Sequence, residues 1–214
     1  MKLGAIVRCY YLTDYLSRVL KSLEYLDKII VANFIYDDVA PYDDTEEIVD
    51  ELNQQNVVLI SGSGLKQHEV FNKCLEDLKD MDWVFINDAD EFIARTDRDY
   101  MIGECEKHKT GMGMCGVIDY AKTDKIYPRR THKPAVIIQS NERFYTTRCI
   151  HCIDGLIFED VFMHHFGYTF PKDKIDWKKK GKWYEAESTE IVRMMNKTIE
   201  DFETPKEIKE MLRE

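Results

Sequence analysis

The sequence has no apolar run near the roughly 20 residues that a membrane-spanning helix needs. Its longest apolar stretches, such as "LGAIV" (3–7) and "WVFI" (83–86), have the length of strands. Arg8 breaks the first of these at once, so no secretory leader is expected there and a cytoplasmic protein is the default expectation. Positive charge is also short. Thirty Lys and Arg stand against 40 Asp and Glu, for a net charge of −10. This argues against broad nucleic-acid binding by phosphate neutralisation and leaves room only for local basic patches. Six cysteines, at 9, 74, 105, 115, 149 and 152, are scattered and read as buried thiols rather than a disulfide framework. Cys149 and Cys152 form a CxxC with no second Cys or His pair at zinc spacing. There is no internal repeat, low-complexity tract or Gly/Ser linker.

What is present is an alternation. "LGAIV" (3–7), "KIIVAN" (28–33), "VVLI" (57–60) and "WVFIN" (83–87) read as strands. Between them, "TDYLSRVLKSLEYL" (13–26) puts Leu16, Val19, Leu20 and Leu23 at helical spacing, with Thr13 as its cap. "DDTEEIVDEL" (43–52) starts a helix with Asp44 and Glu47 as a capping box. After a turn at "GSG" (62–64), Val70, Phe71, Cys74, Leu75 and Leu78 mark one face of a third helix. Uninterrupted apolar strands separated by amphipathic helices predict a doubly wound α/β sheet with ligands at the carboxyl ends of its strands. The second half reads as strands of mixed direction at 113–120, 135–140, 142–147 and 159–168. Ile191, Met194, Met195, Ile199 and Phe202 then form a helical stripe, and "TPKE" (204–207) starts a helix with Thr204 as cap, Pro205 first and Glu207 completing a box. The expected organisation is a catalytic domain over 1–170 and a basic loop with a helical C-terminal extension over 171–214.

The fourth strand runs into Asn87, Asp88, Asp90 and Glu91. Residues two apart in extended backbone point the same way. Two carboxylates on one side of a loop repel unless a positive charge lies between them, and oxygen ligands suit Mg²⁺ or Mn²⁺. The competing expectation is a solvated loop in which Asp88 or Asp90 caps the next helix.

"WVFINDADEF" resembles the "(L/F)DADE" segment of family 2-like glycosyltransferases with the GT-A fold. The likeness extends upstream: "HEVFNKCLEDLKDMDWVFINDADEF" is similar to the stretch that leads into that motif, with Phe71 and Asn72 in its Arg-Asn places. "YLSRVLKSLEYLDKIIV" is similar to the family's first helix and second strand, "DDTEEI" to "TDxTxEI", and "HHFGY" (164–168) to the "HYGY" that closes the catalytic core in a subset. Together these cover roughly residues 1–170. The resemblance implies a GT-A (Rossmann-like) doubly wound mixed sheet. It also implies a nucleotide-diphosphate-sugar donor, a divalent Mn²⁺ or Mg²⁺ bridging its phosphates, and transfer to an acceptor. Asp88 would lie beside the donor ribose and the metal, and Asp90 would bind the metal. His165 would be the distal metal ligand or a diphosphate contact, with His164 on the opposite face.

The chain departs from the family pattern at two places. Where the family reads the donor base, commonly uracil, with an Asp, this chain has Ala32 or Asn33, with Asp37 and Asp38 in the loop beyond as substitutes. Asn33 carries both donor and acceptor groups for a base edge. Phe71 stands in place of an Arg, and Arg8 at the end of the first strand is the candidate replacement near the phosphates. In an inverting transfer a base must deprotonate the acceptor. The family draws it from an "ED" pair downstream, which here points to Asp160, with Glu159 and Asp154 close behind. In "KDKIDWKKKGKWYE" (172–185), Lys178 and its neighbours are candidates to close over the diphosphate, and Trp177 or Trp183 to stack on a sugar. "YPRRTHK" (127–133) is a candidate acceptor contact. Two other readings share the architecture: a nucleotidyltransferase or phosphate-ester hydrolase, and a non-catalytic nucleotide-sugar-binding domain. "VRCYYLTDY" lacks the Gly-rich phosphate loop that the nucleotidyltransferase would carry.

Overall fold

The computed structural model describes residues 1–9, 13–35, 43–122, 125–127, 133–146, 149–150, 155–167, 169 and 200–213. Four strands, β1 (Leu3–Cys9), β2 (Lys28–Ile35), β3 (Val57–Ser63) and β4 (Trp83–Asp88), pair in parallel. Helices α1 (Leu16–Ser22), α2 (Thr45–Leu52) and α3 (Gln67–Asp77) connect them. The chain then enters a two-residue strand β5 (Glu91–Phe92), helix α4 (Arg95–His108) and the strands β6 (Met112–Lys122), β7 (Lys125–Ile126) and β8 (Ala135–Gln139). A separate pair, β9 (Phe144–Thr146) and β10 (Cys149–Ile150), precedes the long β11 (Leu156–His165). The described chain closes with β12 (Glu200–Asp201) and α5 (Lys206–Met211).

Among the described residues the main sheet has ten strands, in the order β12-β7-β6-β8-β4-β1-β2-β3, with β11 pairing β6 and β5 off this path. Strand β8 is antiparallel to both β4 and β6, so the sheet is mixed. Side chains alternate between its faces, and each face has its own apolar layer. Ala5, Val7, Ile29, Val31 and Phe85 pack with α1, α4 and α5 on one side. Ile6, Ile30, Ala32, Val84 and Ile86 pack with α3 on the other. Burial on both faces is why these strands read as continuous apolar runs.

The helix ends differ from expectation. Helix α1 begins at Leu16, and Thr13 serves it through its backbone carbonyl, while its hydroxyl donates to Asp44. The Asp44 carboxylate is thereby occupied, and no capping box forms on α2; Asp43 accepts the Thr45 N–H at 3.1 Å instead. In α5 the cap position falls on Pro205, and Glu207 accepts the Arg95 N–H at 2.8 Å. The stripe expected to run helically to Phe202 gives way to β12 at Glu200–Asp201, paired with β7; its residues 191–199 lie outside the described set. Helix α4 is absent from the sequence expectation. Its buried residues, Arg98, Met101, Ile102 and Cys105, have helical spacing, but the stripe starts with a charged residue. Cys9, Cys74, Cys105 and Cys115 are buried thiols outside any disulfide, as expected. Cys152 lies outside the described residues. Among the described residues no helix is long and apolar enough to cross a membrane.

Candidate functional site

Strand β1 is flanked by β2 and β4, so the chain order reverses between β1 and β4. In open α/β sheets ligands bind at the carboxyl ends of strands at such a reversal. In parallel register Arg8 lies beside Asp88. Arg8 grips the carboxylate with both prongs, Nε–H donating to Oδ1 at 2.7 Å and Nη2–H to Oδ2 at 2.5 Å. Both side chains remain partly open, 16% and 18% exposed, so solvent reaches the pair at this strand end.

The chain then changes neighbours. Ala89 N–H still bonds to the Arg8 carbonyl, whereas Glu91 and Phe92 pair with His165 and His164 of β11. Asp90 sits at this crossing, and its carbonyl accepts the Phe166 N–H at 2.9 Å. Its own carboxylate is buried, with Oδ2 3.5 Å from His165 Nε2. On the other side of the ring, His165 Nδ1 lies 2.5 Å from Asp119 Oδ1 on β6. Glu91 ties the turn together by accepting the Asp88 N–H at 2.6 Å. Asp88 and Asp90 are therefore not helix caps.

His165 and its neighbour His164 face opposite sides, as strand alternation requires. His164 is buried against Tyr120, with the hydroxyl 2.9 Å from Nδ1, and burial lowers its pKa to about 4. Burial also opposes charge on His165, but Asp90, followed by the bond to Asp119, outweighs it and raises the value to about 9. A free histidine titrates at about 6.5. The raised His165 contributes stability in full below that value and loses it as pH rises through about 9. The depressed His164 contributes in full above it and loses that as pH falls through about 4. Metal-free protein is thus expected to melt highest near neutral pH. His165→Gln should flatten the alkaline limb and His164→Gln the acid limb. A wild-type melting temperature unchanged from pH 6.5 to 9 would contradict the charged His165 assignment.

The pair offers one carboxylate oxygen and one imidazole nitrogen, donors that a divalent transition-metal ion such as Mn²⁺ can take. Two ligand atoms that each lie about 2.1 Å from an ion can stand up to about 4.2 Å apart, and Asp90 Oδ2 and His165 Nε2 fall within that range. Gly167 leaves room beside them: a Cβ there would meet His165 Cε1 at 2.6 Å and Asp90 Oδ2 at 2.7 Å. Among the described residues no three His, Cys, Asp or Glu side chains converge on one point. The protein would supply two ligands, with Asp88 turned to Arg8.

Other expected site residues fall elsewhere. Asn33 is at the end of β2, where its Nδ2–H donates to Asp43 Oδ1 at 3.2 Å and its own buried Oδ1 has no partner among the described residues. The structure thus brings Asp43 to this position, while Asp37 and Asp38 are outside the described residues. Phe71 is buried against Phe144, and Asn72 bonds the Phe144 backbone through both amide groups at 2.8 Å. Asp160 and Glu159 are exposed on β11, where the register slips between Phe158 and Phe162, and Glu159 pairs with Lys133 at 2.5 Å. Asp160 precedes His165 by five residues, about 15 Å of extended strand. The structure does not bring either acid to the Asp90–His165 pair. Asp154, Trp177, Lys178 and Trp183 lie outside the described residues. Asp119 was missed: a single acid within the apolar "GVIDY" carries no local signal that it faces a histidine far along the chain.

The fold defined by these elements is the GT-A glycosyltransferase fold. S. aureus TarS 1–349 is a structural relative, with a TM-score of 0.57 and 14% identity over 90% of this chain and 69% of that one. The same fragment in complex with UDP-GlcNAc gives 0.54 at 14% identity, covering 92% and 72%. Its complex with UDP gives 0.54 at 15% identity, covering 92% and 71%. Against the longer TarS structure, this chain covers 43% of that length. No protein-family model matches the sequence, and no curated protein matches it.

Proposed function

We propose that this chain is a metal-dependent glycosyltransferase of the family 2-like type. In this reading it transfers a sugar from a nucleotide-diphosphate donor, a UDP-sugar first among them, to an acceptor hydroxyl with inversion. The observation that carries the proposal is the buried Asp90–His165 pair, placed beside the Arg8–Asp88 ion pair at the sheet's reversal point. The UDP and UDP-GlcNAc complexes of the TarS fragment favour a uridine donor.

Asp90 and His165 would hold Mn²⁺ or Mg²⁺, which when bound stabilises charge on the departing diphosphate as a Lewis acid. Arg8 presents a fixed guanidinium toward the phosphates, the planar, permanently charged group suited to that contact. Asp88, held by Arg8, would lie beside the donor ribose. Burial of Asp90 and His165 keeps water from competing for them, which strengthens their attraction for charge. Removal of the acceptor proton would fall to Asp160, with Glu159 and Asp154 as alternatives.

The test is a thermal-shift comparison of UDP and GDP with and without Mn²⁺. Ligand at a hundredfold over its Kd adds about 2.7 kcal/mol, a rise of roughly 5–10 °C for a chain of this size. The expected result is a shift with UDP that depends on Mn²⁺. No shift with any nucleotide and metal would overturn the proposal. The position of Asp160 and Glu159 also favours a second reading, a nucleotide-sugar-binding domain without a base. Mn²⁺-dependent hydrolysis of the donor separates enzyme from binder.

A further inference from the structure

We propose that Asp119 is a positioning residue: it holds the His165 ring by Nδ1 so that Nε2 stays turned toward Asp90, and it thereby sets the affinity of that pair for a divalent cation. This rests on the metal-dependent reading above. Asp119 is fully buried on β6, between Ile118 and Tyr120, which are themselves buried. Placing a carboxylate in such surroundings costs several kcal/mol unless charged or polar groups compensate it. The compensation is built by register. Strands β6 and β11 run parallel with Asp119 opposite His165 and Ile118 opposite His164. Side chains paired in this way share a face, so Asp119 reaches His165 while Tyr120 reaches His164 on the other face.

The 2.5 Å contact makes Nδ1 the protonated, donating nitrogen. Nε2, on the Asp90 side of the ring, is then the nitrogen that would take a cation once the ion displaces its proton. Histidine ligands commonly donate their second N–H to a carboxylate, which fixes the tautomer and ring orientation. Loss of that partner typically costs about 10–100-fold in metal affinity.

The experiment is a Mn²⁺ titration followed by electron paramagnetic resonance in the presence of UDP, with a thermal melt of each protein to establish folding. Asp119→Ser is too short to reach Nδ1, and Asp119→Asn keeps an acceptor oxygen at the same reach. Expected is a 10–100-fold loss of Mn²⁺ affinity for the serine variant and recovery to within several-fold of wild type for asparagine. A folded serine variant with wild-type affinity overturns the proposal, as does an equal loss in both variants. Should the serine variant not fold, Asp119→Glu keeps the charge but displaces the carboxylate by one methylene. Weakened Mn²⁺ binding there supports the proposal and unchanged binding overturns it. Wild-type protein that binds no Mn²⁺ defeats the metal-dependent reading itself, and the proposal with it. Wild-type binding with indifferent variants defeats the positioning role alone.

Discussion

Asp90→Ala is expected to abolish Mn²⁺-dependent nucleotide binding while leaving the fold intact. The loss should exceed the roughly 10–100-fold that a change outside the ligand shell produces, because Asp90 supplies one of the two protein donors at the site. Removing one member of a buried ion pair often costs about 3–5 kcal/mol, because the other charge is stranded. Here His165 keeps Asp119 at Nδ1, so the imidazolium is not left alone. The backbone bond from Phe166 N–H to the Asp90 carbonyl is also untouched by the substitution. The melting temperature should therefore fall by a few degrees at most. Asp90→Asn, which conserves volume, should lose the same Mn²⁺ dependence with less destabilisation. Mn²⁺-dependent affinity unchanged in a folded Asp90→Ala protein would count decisively against the assignment of this strand end.

Gly167→Ala is expected to have the next largest effect, although it adds only a methyl group. The added carbon would lie within 3 Å of both His165 Cε1 and Asp90 Oδ2, closer than carbon approaches such atoms in folded proteins. Neither neighbour can yield freely. His165 is held by Asp119, and Asp90 belongs to the turn pinned by Phe166 N–H. Overpacking of this kind typically costs about 1–3 kcal/mol, and the displaced ring would no longer face Asp90. Mn²⁺ affinity and transfer rate should drop together, by roughly a hundredfold, as for misplacement of about 1 Å at a reacting centre. A Gly167→Ala protein with wild-type Mn²⁺ affinity would show that the space beside the pair is not required.

The alternation over the first ninety residues was legible because it is local. Each apolar run and each helical stripe states its own burial, and the observed strands extend those expected by a few residues at most. The acidic end of β4 was legible for the same reason, since a core strand that runs into carboxylates shows in a short window. Capping was less so. Thr13 and Asp44 fit the cap pattern individually but bond to each other across 31 residues. Helix α4 was hidden by Arg98, a charged residue that packs in the core and bonds the Ser22 carbonyl at 3.2 Å.

By itself, then, the amino-acid order determined the strand–helix alternation, the doubly wound sheet that follows from it, and the strand whose end carries the acids. Only tertiary structure decided what those acids touch. Arg8 meets Asp88, and Asp119 and Asp90 enclose His165, because strand residues 46 to 80 positions apart pair in one register and not the next. A one-residue slip would turn each of these side chains to the opposite face. That register is set by the packing of the whole sheet, which no short stretch of sequence contains.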